Sequence, residues 1–442
     1  MKIEKKTIDS FYKSYLKKKE NKIVENAATK NGVYNSTYNN DVKAFHNNEF
    51  SVEVKKAGIT DQKNSGRCWI FAALNILKPI TLNKLNVEEF EYSEAYVMFW
   101  EKMEKANVFL ELIIEHPELN YGDRLFDMFL DFGAEDGGYW EWVEGLITKY
   151  GVVPKSVMPE TYNSEKTYEL ISILKVHLLS AAKDLREAIK NKVSIEELRK
   201  MKQTFLQGVF DICAKSLGLP PKEFDFEYRD KDKKFQKISK VTPLEFLEKY
   251  ASLDYQKLIN VVDDPRKENP KNRMLVAKHF KGVIEGRMLS SINADLNQIK
   301  EAVIKQLKDG EPVWFDCDMG PFIDRKLGIM DAQIYQIDEA FKIHNNLTKE
   351  DRVNFKLSLP NHAMTLVGVD LDENDKPIKW EVENSWGDEN GAKGYFSMSD
   401  EWLNEYCFGF ILNPKYVAQE ILDARDKEPI IIEPWDPLSR FF

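Results

Sequence analysis

The residues of this sequence with the clearest chemical potential lie around Cys68, because a cysteine at the start of a helix can act as a nucleophile. Gly66 and Arg67 precede it, and the apolar run over residues 69–74 predicts a helix that begins there. A helix N-terminus favours the negatively charged thiolate. Gln62 lies six residues upstream. Its side-chain amide, together with the backbone N–H of Cys68, could donate to the oxyanion of a tetrahedral intermediate.

A base for such a nucleophile is available at His362, which stands at the start of a predicted strand. Asn384 follows 22 residues later, at the end of another predicted strand. A neutral amide there can orient the imidazole without removing its charge, and Trp386 could shield that hydrogen bond from water. Each residue taken alone is more often structural. The ordered set, however, is hard to obtain by chance. Together, Gln62, Cys68, His362 and Asn384 favour acyl transfer through a thiol.

The four cysteines lie far apart and form no Cys-x-x-Cys pair: Cys68, Cys213, Cys317 and Cys407. This spacing argues against a zinc site and against a disulfide framework. It favours a reducing compartment, so we expect a cytoplasmic protein that needs neither a metal nor an organic cofactor.

The composition is that of a soluble globular chain, with 442 residues, 43% of them hydrophobic and 31% charged. No apolar run approaches the roughly eighteen residues of a membrane span, and residues 1–6 lead into no apolar stretch of the secretory kind. The formal net charge of −10 disfavours attraction to nucleic acid. The best basic patch, residues 17–19, is interpreted as a solvated helix face.

The segments before and after Cys68 are predicted to be largely helical. Residues 3–19 have apolar side chains at helical spacing, which predicts a helix that docks on its own domain, with a partner-binding helix or a membrane helix as the alternatives. Residues 91–112 predict another helix. From 167 to 214 the sequence is again helix-forming, and Ser194 followed by Glu197 predicts a capping box.

The pattern changes after that helical region. Residues 218–221 are predicted to end the last helix, and the mixed-charge residues 231–240 to form a solvated loop. Beyond residue 297, apolar runs and turn residues alternate and predict a β-rich part. Its elements are a helix over 299–307, a turn at 309–311, and strands over 312–317, 363–369 and 379–383, the last two joined by the link 370–376.

Two segments resemble the active-site motifs of papain-like peptidases: residues 62–69, Gln-Lys-Asn-Ser-Gly-Arg-Cys-Trp, and residues 383–387, Glu-Asn-Ser-Trp-Gly. The arginine at position 67 resembles the pattern of the bleomycin hydrolase and aminopeptidase C branch of that family. Papain itself has a small residue at that position. Further stretches that resemble the branch are 136–138, 149–154, 309–315, 324–331 and 434–437.

The resemblance implies an α+β papain-like fold, with Cys68 in a helical part and His362 and Asn384 in a β-rich part. It implies a cysteine aminopeptidase acting on peptides, assembled as a homohexamer whose active sites face an inner channel, and it places Asp136, Gly137 and Gly138 at the substrate. The division expected is an N-terminal hook (1–45), the helical part (46–162), a mostly helical insertion (163–297), the β-rich part (298–424) and a C-terminal arm (425–442).

Two positions depart from the family pattern. Tyr139 stands where the family usually has Gln, and the chain ends in Arg440, Phe441 and Phe442. In aminopeptidases of the family the terminal carboxylate lies in the cleft, blocks further subsites and pairs with the α-amine of the substrate. Phe442 is expected to supply that carboxylate. Alternatively, the bulky and cationic end displaces the arm and permits endopeptidase cleavage.

The same residues disfavour two other classes of function. A nucleic-acid-binding scaffold is disfavoured by the acidic balance and by the lack of a basic cluster interleaved with aromatic residues. A transglutaminase-like enzyme is disfavoured because such enzymes usually pair the histidine with Asp, whereas here the candidate partner is Asn384 and Gln62 stands upstream of Cys68.

Overall fold

The structure is a computed structural model that describes residues 1–279 and 281–438. Arg440, Phe441 and Phe442 lie outside the described residues. The α-helices, numbered in chain order, are α1 (Lys5–Lys17), α2 (Lys19–Asn31), α3 (Val33–Ser36), α4 (Val42–Phe45), α5 (Cys68–Leu85), α6 (Glu94–Glu115), α7 (Arg124–Phe132), α8 (Trp140–Tyr150), α9 (Tyr162–Glu165), α10 (Tyr168–Lys190), α11 (Ile195–Leu217), α12 (Pro243–Tyr250), α13 (Leu296–Lys308), α14 (Ile337–Phe341), α15 (Lys349–Asn354), α16 (Asp400–Tyr406) and α17 (Gln419–Leu422).

The strands form one large mixed sheet and one separate hairpin. They are β1 (Val52–Glu53), β2 (Phe224–Arg229), β3 (Phe235–Val241), β4 (Ile259–Val262), β5 (Arg273–Ala277), β6 (Ser290–Asn293), β7 (Val313–Cys317), β8 (Ile323–Asp324), β9 (Ile329–Met330), β10 (His362–Leu371), β11 (Pro377–Glu383), β12 (Tyr395–Ser399), β13 (Cys407–Leu412) and β14 (Ile430–Ile432). The large sheet runs β14-β5-β6-β4-β13-β7-β10-β11-β12-β9-β8, with β1 paired to β10. Short 3-10 helices span Tyr255–Lys257, Pro414–Tyr416 and Asp423–Asp426.

Helix α5 is apolar on nearly all sides, and such a helix must be covered all round. Helices α6, α8 and α12 cover one side of it, and strand β10 covers the other. Its position is therefore fixed between the helical core and the sheet, with Cys68 at the end that begins the helix. The predicted α+β layout, with a helical part carrying Cys68 and a β-rich part carrying His362 and Asn384, is confirmed.

Polar contacts fix α5 to the sheet along its length. The Thr365 hydroxyl donates to the carbonyl of Ala72 at 3.2 Å, and the Trp314 indole N–H donates to the carbonyl of Trp69 at 3.3 Å. Further along, the buried Lys78 ammonium pairs with the buried Glu383 carboxylate at 3.2 Å. These contacts leave the helix little freedom to slide or rotate against β7, β10 and β11.

The middle of the chain contains the predicted helices and an unpredicted hairpin. Ser194 caps α11 by accepting from the N–H of Glu197, and Gly218, with φ 87°, ends it. The prediction of a solvated loop over 231–240 was right for the exposed turn at 231–234 but wrong for 235–240, because strand β3 pairs there with β2. Apolar side chains alternate along these strands and pack on the helical core, a period that the intervening lysines obscure.

Residues 259–293 add three strands, β4 to β6, to the large sheet beside β13. The segment expected to be mostly helical thus also extends the sheet that carries His362. The boundaries proposed at residues 45, 162, 297 and 424 stay predictions.

The N-terminal helices confirm the helical prediction for residues 3–19 but not its docking on the same domain. Helix α1 has no buried residue. Its large apolar side chains face solvent, and they are Ile8, Phe11, Tyr12, Tyr15 and Leu16. Within the described part of the chain, no helix combines the length and the apolar character needed to cross a membrane.

Candidate active site

Cys68 is the first residue of α5, so the first turn of a buried helix presents its backbone N–H groups to the sulfur. Burial raises the pKa of the thiol to about 11, while hydrogen bonds from the backbone N–H groups of Ala363, Trp69 and Cys68 itself act in the opposite direction. Cys68 as a residue is partly exposed and lines a cleft, whereas the other cysteines are buried. Burial alone therefore favours the neutral thiol, and a base beside it is needed for activation.

The loop before Cys68 is held by the Asp136 carboxylate. The backbone N–H of Gly66 donates to Asp136 at 2.8 Å, and the Thr167 hydroxyl donates to the same oxygen at 2.6 Å. Lys102 donates to the other carboxylate oxygen at 2.8 Å. Gly66 lies so close that a Cβ there would stand 2.6 Å from the Cβ of Asp136. Asp136 thus fixes the approach of the chain to Cys68.

Burial alone would raise the pKa of Asp136, but the Lys102 charge and the hydrogen bonds from Lys102, Thr167 and Gly66 hold it well below its usual range. Lys105 is equally buried and donates to the carbonyls of Glu135 at 2.7 Å and of Gly137 at 2.6 Å. Two buried lysines of α6 therefore organise the loop that faces Cys68.

The side chain of Arg67 points away from the cleft. It binds Glu160 through two parallel contacts, at 3.0 and 2.8 Å, and donates to the Ser65 hydroxyl at 2.9 Å. A bidentate pair of this kind is geometrically specific. The arginine that distinguishes this sequence from papain is therefore an internal clamp on the loop.

His362 begins β10 and meets Asn384, which directly follows β11. The two residues are 2.9 Å apart between the ring Nε2 and Asn384 Oδ1. The same oxygen accepts the backbone N–H of Ser385 at 2.8 Å, which fixes the orientation of the amide. Nε2 must therefore donate, and in the neutral ring Nδ1 is the nitrogen that can accept a proton.

Aromatic and cationic side chains cover the His362–Asn384 hydrogen bond. The rings of His362 and Trp386 lie 5.1 Å apart, and the Arg325 guanidinium lies over the outer face of Trp386 at 4.7 Å. Burial lowers the pKa of His362 to about 4; the Asn384 hydrogen bond acts against this shift and the Arg325 charge adds to it. A neighbouring thiolate would favour the protonated ring, since opposite charges stabilise each other.

Gln62 is joined to the segment that carries Asn384. Its backbone N–H donates to the carbonyl of Ser385 at 2.9 Å, and its side-chain oxygen accepts the Ser385 hydroxyl at 2.6 Å. One side-chain N–H donates to the carbonyl of Ser65 at 2.6 Å. An amide nitrogen has two N–H groups, so the second can serve a substrate oxygen.

A cleft of about 80 Å³ opens at the junction of the helical part and the sheet. Cys68 and His362 line it together with Gly137 and Gly138. Gly138 must be glycine, because a Cβ there would come within 2.6 Å of the Trp69 ring. Asp136, also predicted at the substrate, has the protein contacts described above, and its direct contact with substrate stays a prediction. Phe442 lies outside the described residues.

Sequence reasoning missed several residues of the cleft wall, namely Trp69, Trp314, Asp316, Pro360 and Asn361. Asp316 immediately follows the segment 309–315 that the sequence singled out. Asp316 stands directly opposite Ala363, the neighbour of His362, in a strand register that only the structure gives.

A thiol at a helix start, an imidazole and an orienting amide around one cleft form the arrangement of thiol-dependent acyl-transfer enzymes. The sequence profile of the Peptidase C1-like family matches residues 2–439. Aminopeptidase C of Lactobacillus delbrueckii subsp. lactis is 38% identical over 436 residues, covering 98% of this chain and 97% of its own. Aminopeptidase C of Listeria innocua is also 38% identical, over 432 residues, with the same coverage.

The crystal structure of PepW from Lactobacillus rhamnosis HN001 is similar over the whole chain, with a TM-score of 0.97 and 37% identity, and the match covers 100% of this chain and 99% of that one. The chain belongs to the Peptidase C1-like family. The family resemblance drawn from residues 62–69 and 383–387 is thus confirmed.

The Asp136 network predicts a pH-dependent stability contribution. Because the folded-state pKa of Asp136 is depressed, its contribution is present at neutral pH and is lost as the pH falls below about 4, the ordinary value for Asp. We expect Asp136→Asn to lower the free energy of unfolding by about 3 kcal/mol at pH 7, as when a buried ion pair is broken. Denaturant unfolding of wild type and of Asp136→Asn at several pH values measures the difference between their unfolding free energies. This difference should narrow below pH 4.

Asp131→Asn is the matched control, because the Asp131 side chain is 82% exposed and lies 3.9 Å from Lys175. Its unfolding free energy should stay within about 0.5 kcal/mol of wild type. If Asp136→Asn lowered the unfolding free energy by an equally small amount, the role assigned to the Asp136 carboxylate would be contradicted.

Proposed function

We propose that this chain is a cysteine aminopeptidase that releases N-terminal residues from peptides, with Cys68 as nucleophile, His362 as general base and acid, and Asn384 and Gln62 in support. The observation that carries the proposal is the hydrogen bond from His362 Nε2 to Asn384 Oδ1, because it leaves Nδ1 to exchange a proton with Cys68 across the cleft. The near-full-length similarity to proteins named aminopeptidase C supports the exopeptidase assignment.

The reaction begins when Nδ1 of His362 takes the Cys68 proton and the thiolate attacks the scissile carbonyl carbon. The carbonyl oxygen becomes an oxyanion, which accepts from the backbone N–H of Cys68 and from the second side-chain N–H of Gln62. His362 then donates its proton to the leaving amine, which departs and leaves a thioester on Cys68. Asn384 holds the ring in the plane required for both transfers.

Water completes the cycle. His362 removes a proton from the water molecule that attacks the thioester, and the second tetrahedral intermediate collapses to the free acid and the thiol. Trp386 and Arg325 shield the His362–Asn384 hydrogen bond during this step. Shielding matters because a hydrogen bond of this kind is stronger away from water.

Exopeptidase selection is assigned to the C-terminal arm, with Phe442 supplying a carboxylate in the cleft. The described part of the arm supports this route. Asp436 binds Arg266 through two contacts, at 2.9 and 2.8 Å, and Leu438 lines a cavity that adjoins the cleft. The alternative is an endopeptidase or oligopeptidase in which Arg440, Phe441 and Phe442 hold the arm away from the substrate.

A pair of reporters separates these two activities. We expect a dipeptide reporter with a free α-amine to be hydrolysed at least about 100-fold faster than its N-acetylated form. The acetylated form lacks the positive charge that would pair with the carboxylate proposed in the cleft, and a site that leaves such a group unpaired rejects the substrate. The ratio of kcat/KM for the two reporters is the measurement. Efficient turnover of the acetylated form would defeat the aminopeptidase assignment and favour the endopeptidase.

The nucleophile is tested by substitution. Cys68→Ala should lower kcat/KM by at least about 10³-fold, since no other group can form the thioester, whereas Asn384→Ala should retain reduced but measurable turnover. Cys213→Ala is the matched control, because Cys213 is buried in the packed face of α11. Full activity in the Cys68→Ala protein would refute the assignment.

We also propose that the chain works as a cytoplasmic homohexamer with the cleft facing an inner channel. The exposed apolar side chains of α1 support a contact between identical subunits, since such a helix is rarely left uncovered. Sedimentation velocity should give a particle of six chains, and a monomer at micromolar concentration would contradict the assembly.

A further inference from the structure

Asp316 is a carboxylate on the wall of the cleft, on the strand next to His362. In the β7–β10 pairing it stands opposite Ala363, and Trp314 stands opposite Thr365. Side chains at these positions share one face of the sheet, the face turned toward α5, as the contacts of Trp314 and Thr365 with that helix demonstrate. Asp316 therefore introduces a negative charge into a face that otherwise packs on the helix.

The same residue also borders a second, smaller space, which we call the inner cavity. The inner cavity has a volume of about 30 Å³ and shares Tyr139, Asp316 and Pro360 with the cleft. Its far walls are largely apolar and include Val262, Leu275, Phe408 and Leu438. A space of this size admits one or two water-sized groups. It could hold an ammonium head but not a large ring.

Hydrogen-bond acceptors converge on the inner cavity. One oxygen of Asp316 accepts the backbone N–H of Gly409 at 2.8 Å. The other lies beside Gly409, where a Cβ would come within 2.6 Å of it and within 3.4 Å of Asn260 Oδ1. Asn260 Oδ1 is buried and has no hydrogen-bond partner among the described residues. Two acceptors therefore stand close together and can share a donor.

Within the described part of the chain, no cation in the lining of the two cavities balances the charge of Asp316. Among the described residues that line them, Asp316 is the single carboxylate and there is no lysine or arginine. The Lys349 charge acts on Asp316, but Lys349 itself is paired with Asp263 at 2.8 Å. Burial raises the pKa of Asp316 to about 6, with the Gly409 N–H and the Lys349 charge opposing the shift, so burial disfavours the ionised form. A carboxylate held this way is costly unless a ligand supplies the positive charge.

We propose that Asp316 is a specificity-determining residue that binds an ammonium group of the substrate, with Asn260 Oδ1 as a second acceptor. Within the proposed peptidase function, this ammonium is either the side chain of an N-terminal lysine or the α-amine of the N-terminal residue. In the second case Asp316 takes the role assigned above to the terminal carboxylate. The structural alternative is that Asp316 serves only to accept the Gly409 N–H where β13 shifts register between Cys407 and Phe410.

Asp316→Asn separates these roles, because asparagine keeps an oxygen for the Gly409 N–H and loses only the charge. Asp318→Asn is the matched control: it removes the same charge two residues further on, where the side chain accepts Asn361 Nδ2 at 2.8 Å and lines neither cavity. The substrates are the coumarylamides of lysine and of norleucine, which share a four-carbon side chain and a free α-amine and differ in the terminal side-chain ammonium.

We expect Asp316→Asn to lower kcat/KM by about 10- to 100-fold, the usual effect of losing a hydrogen bond to a charged group. A loss for the lysine substrate alone identifies the side-chain ammonium. An equal loss for both substrates, with an unchanged rate of Cys68 alkylation by neutral iodoacetamide, identifies the α-ammonium. Asp318→Asn should match wild type in each assay.

The proposal is overturned if Asp316→Asn leaves kcat/KM unchanged for both substrates. It is also overturned if the loss of kcat/KM is matched by an equal loss in the rate of Cys68 alkylation. A wild-type protein that hydrolyses neither substrate would instead refute the proposed function. In that case, protection of Cys68 against iodoacetamide by lysine amide and by norleucine amide still compares the two proteins. Equal protection of wild type and of Asp316→Asn by both amides would then overturn the role of Asp316.

Discussion

The docking of α5 on the sheet is the constraint on which the rest of the site depends. Cys68 belongs to the helix and His362 to β10, so their relative placement is only as good as that contact. An apolar helix surface supplies most of the attraction, but it has no direction. Direction comes from the hydroxyl of Thr365, the indole of Trp314 and the ion pair of Lys78 with Glu383. Because Glu383 immediately precedes Asn384, the same contact also places the orienting amide.

The two loops beside Cys68 are fixed by charges that are themselves buried. Lys102 and Lys105 are held by carbonyl groups and carboxylates, and Asp136 receives three donors. Such groups are expensive to bury singly and stabilise one geometry when fully satisfied. On the opposite side, Gln62 is joined to Ser385, so the residue proposed as oxyanion donor is held to the segment that carries Asn384. The thiolate chemistry thus depends on rigid backbone more than on mobile side chains.

Sequence alone was sufficient to predict the positions of site residues where the local pattern and the chemistry agree. Cys68 at a helix start, His362 at a strand start and Asn384 at a strand end were all predicted, and so was the end of α11 at Gly218. It was insufficient where tertiary packing decides. The β2–β3 hairpin was obscured by charged residues on its outer face. Helix α1 was expected to dock on its own domain, but the structure leaves it exposed. Asp316 could not be seen because its role depends on strand register and on neighbours distant in sequence.

The chemistry of this site is therefore better determined than its choice of substrate, which we assign to Asp316 and to the C-terminal arm. The central claim is that Cys68 forms a thioester with the acyl part of the substrate. Rapid acid quenching of the enzyme with an amino-acid nitrophenyl ester, followed by mass spectrometry of its peptides, tests this claim directly, since acylation should outrun hydrolysis with an activated ester. The account predicts one acyl group per chain, on the peptide that contains Cys68. An acyl group on another residue, or steady turnover without any covalent intermediate, would contradict it.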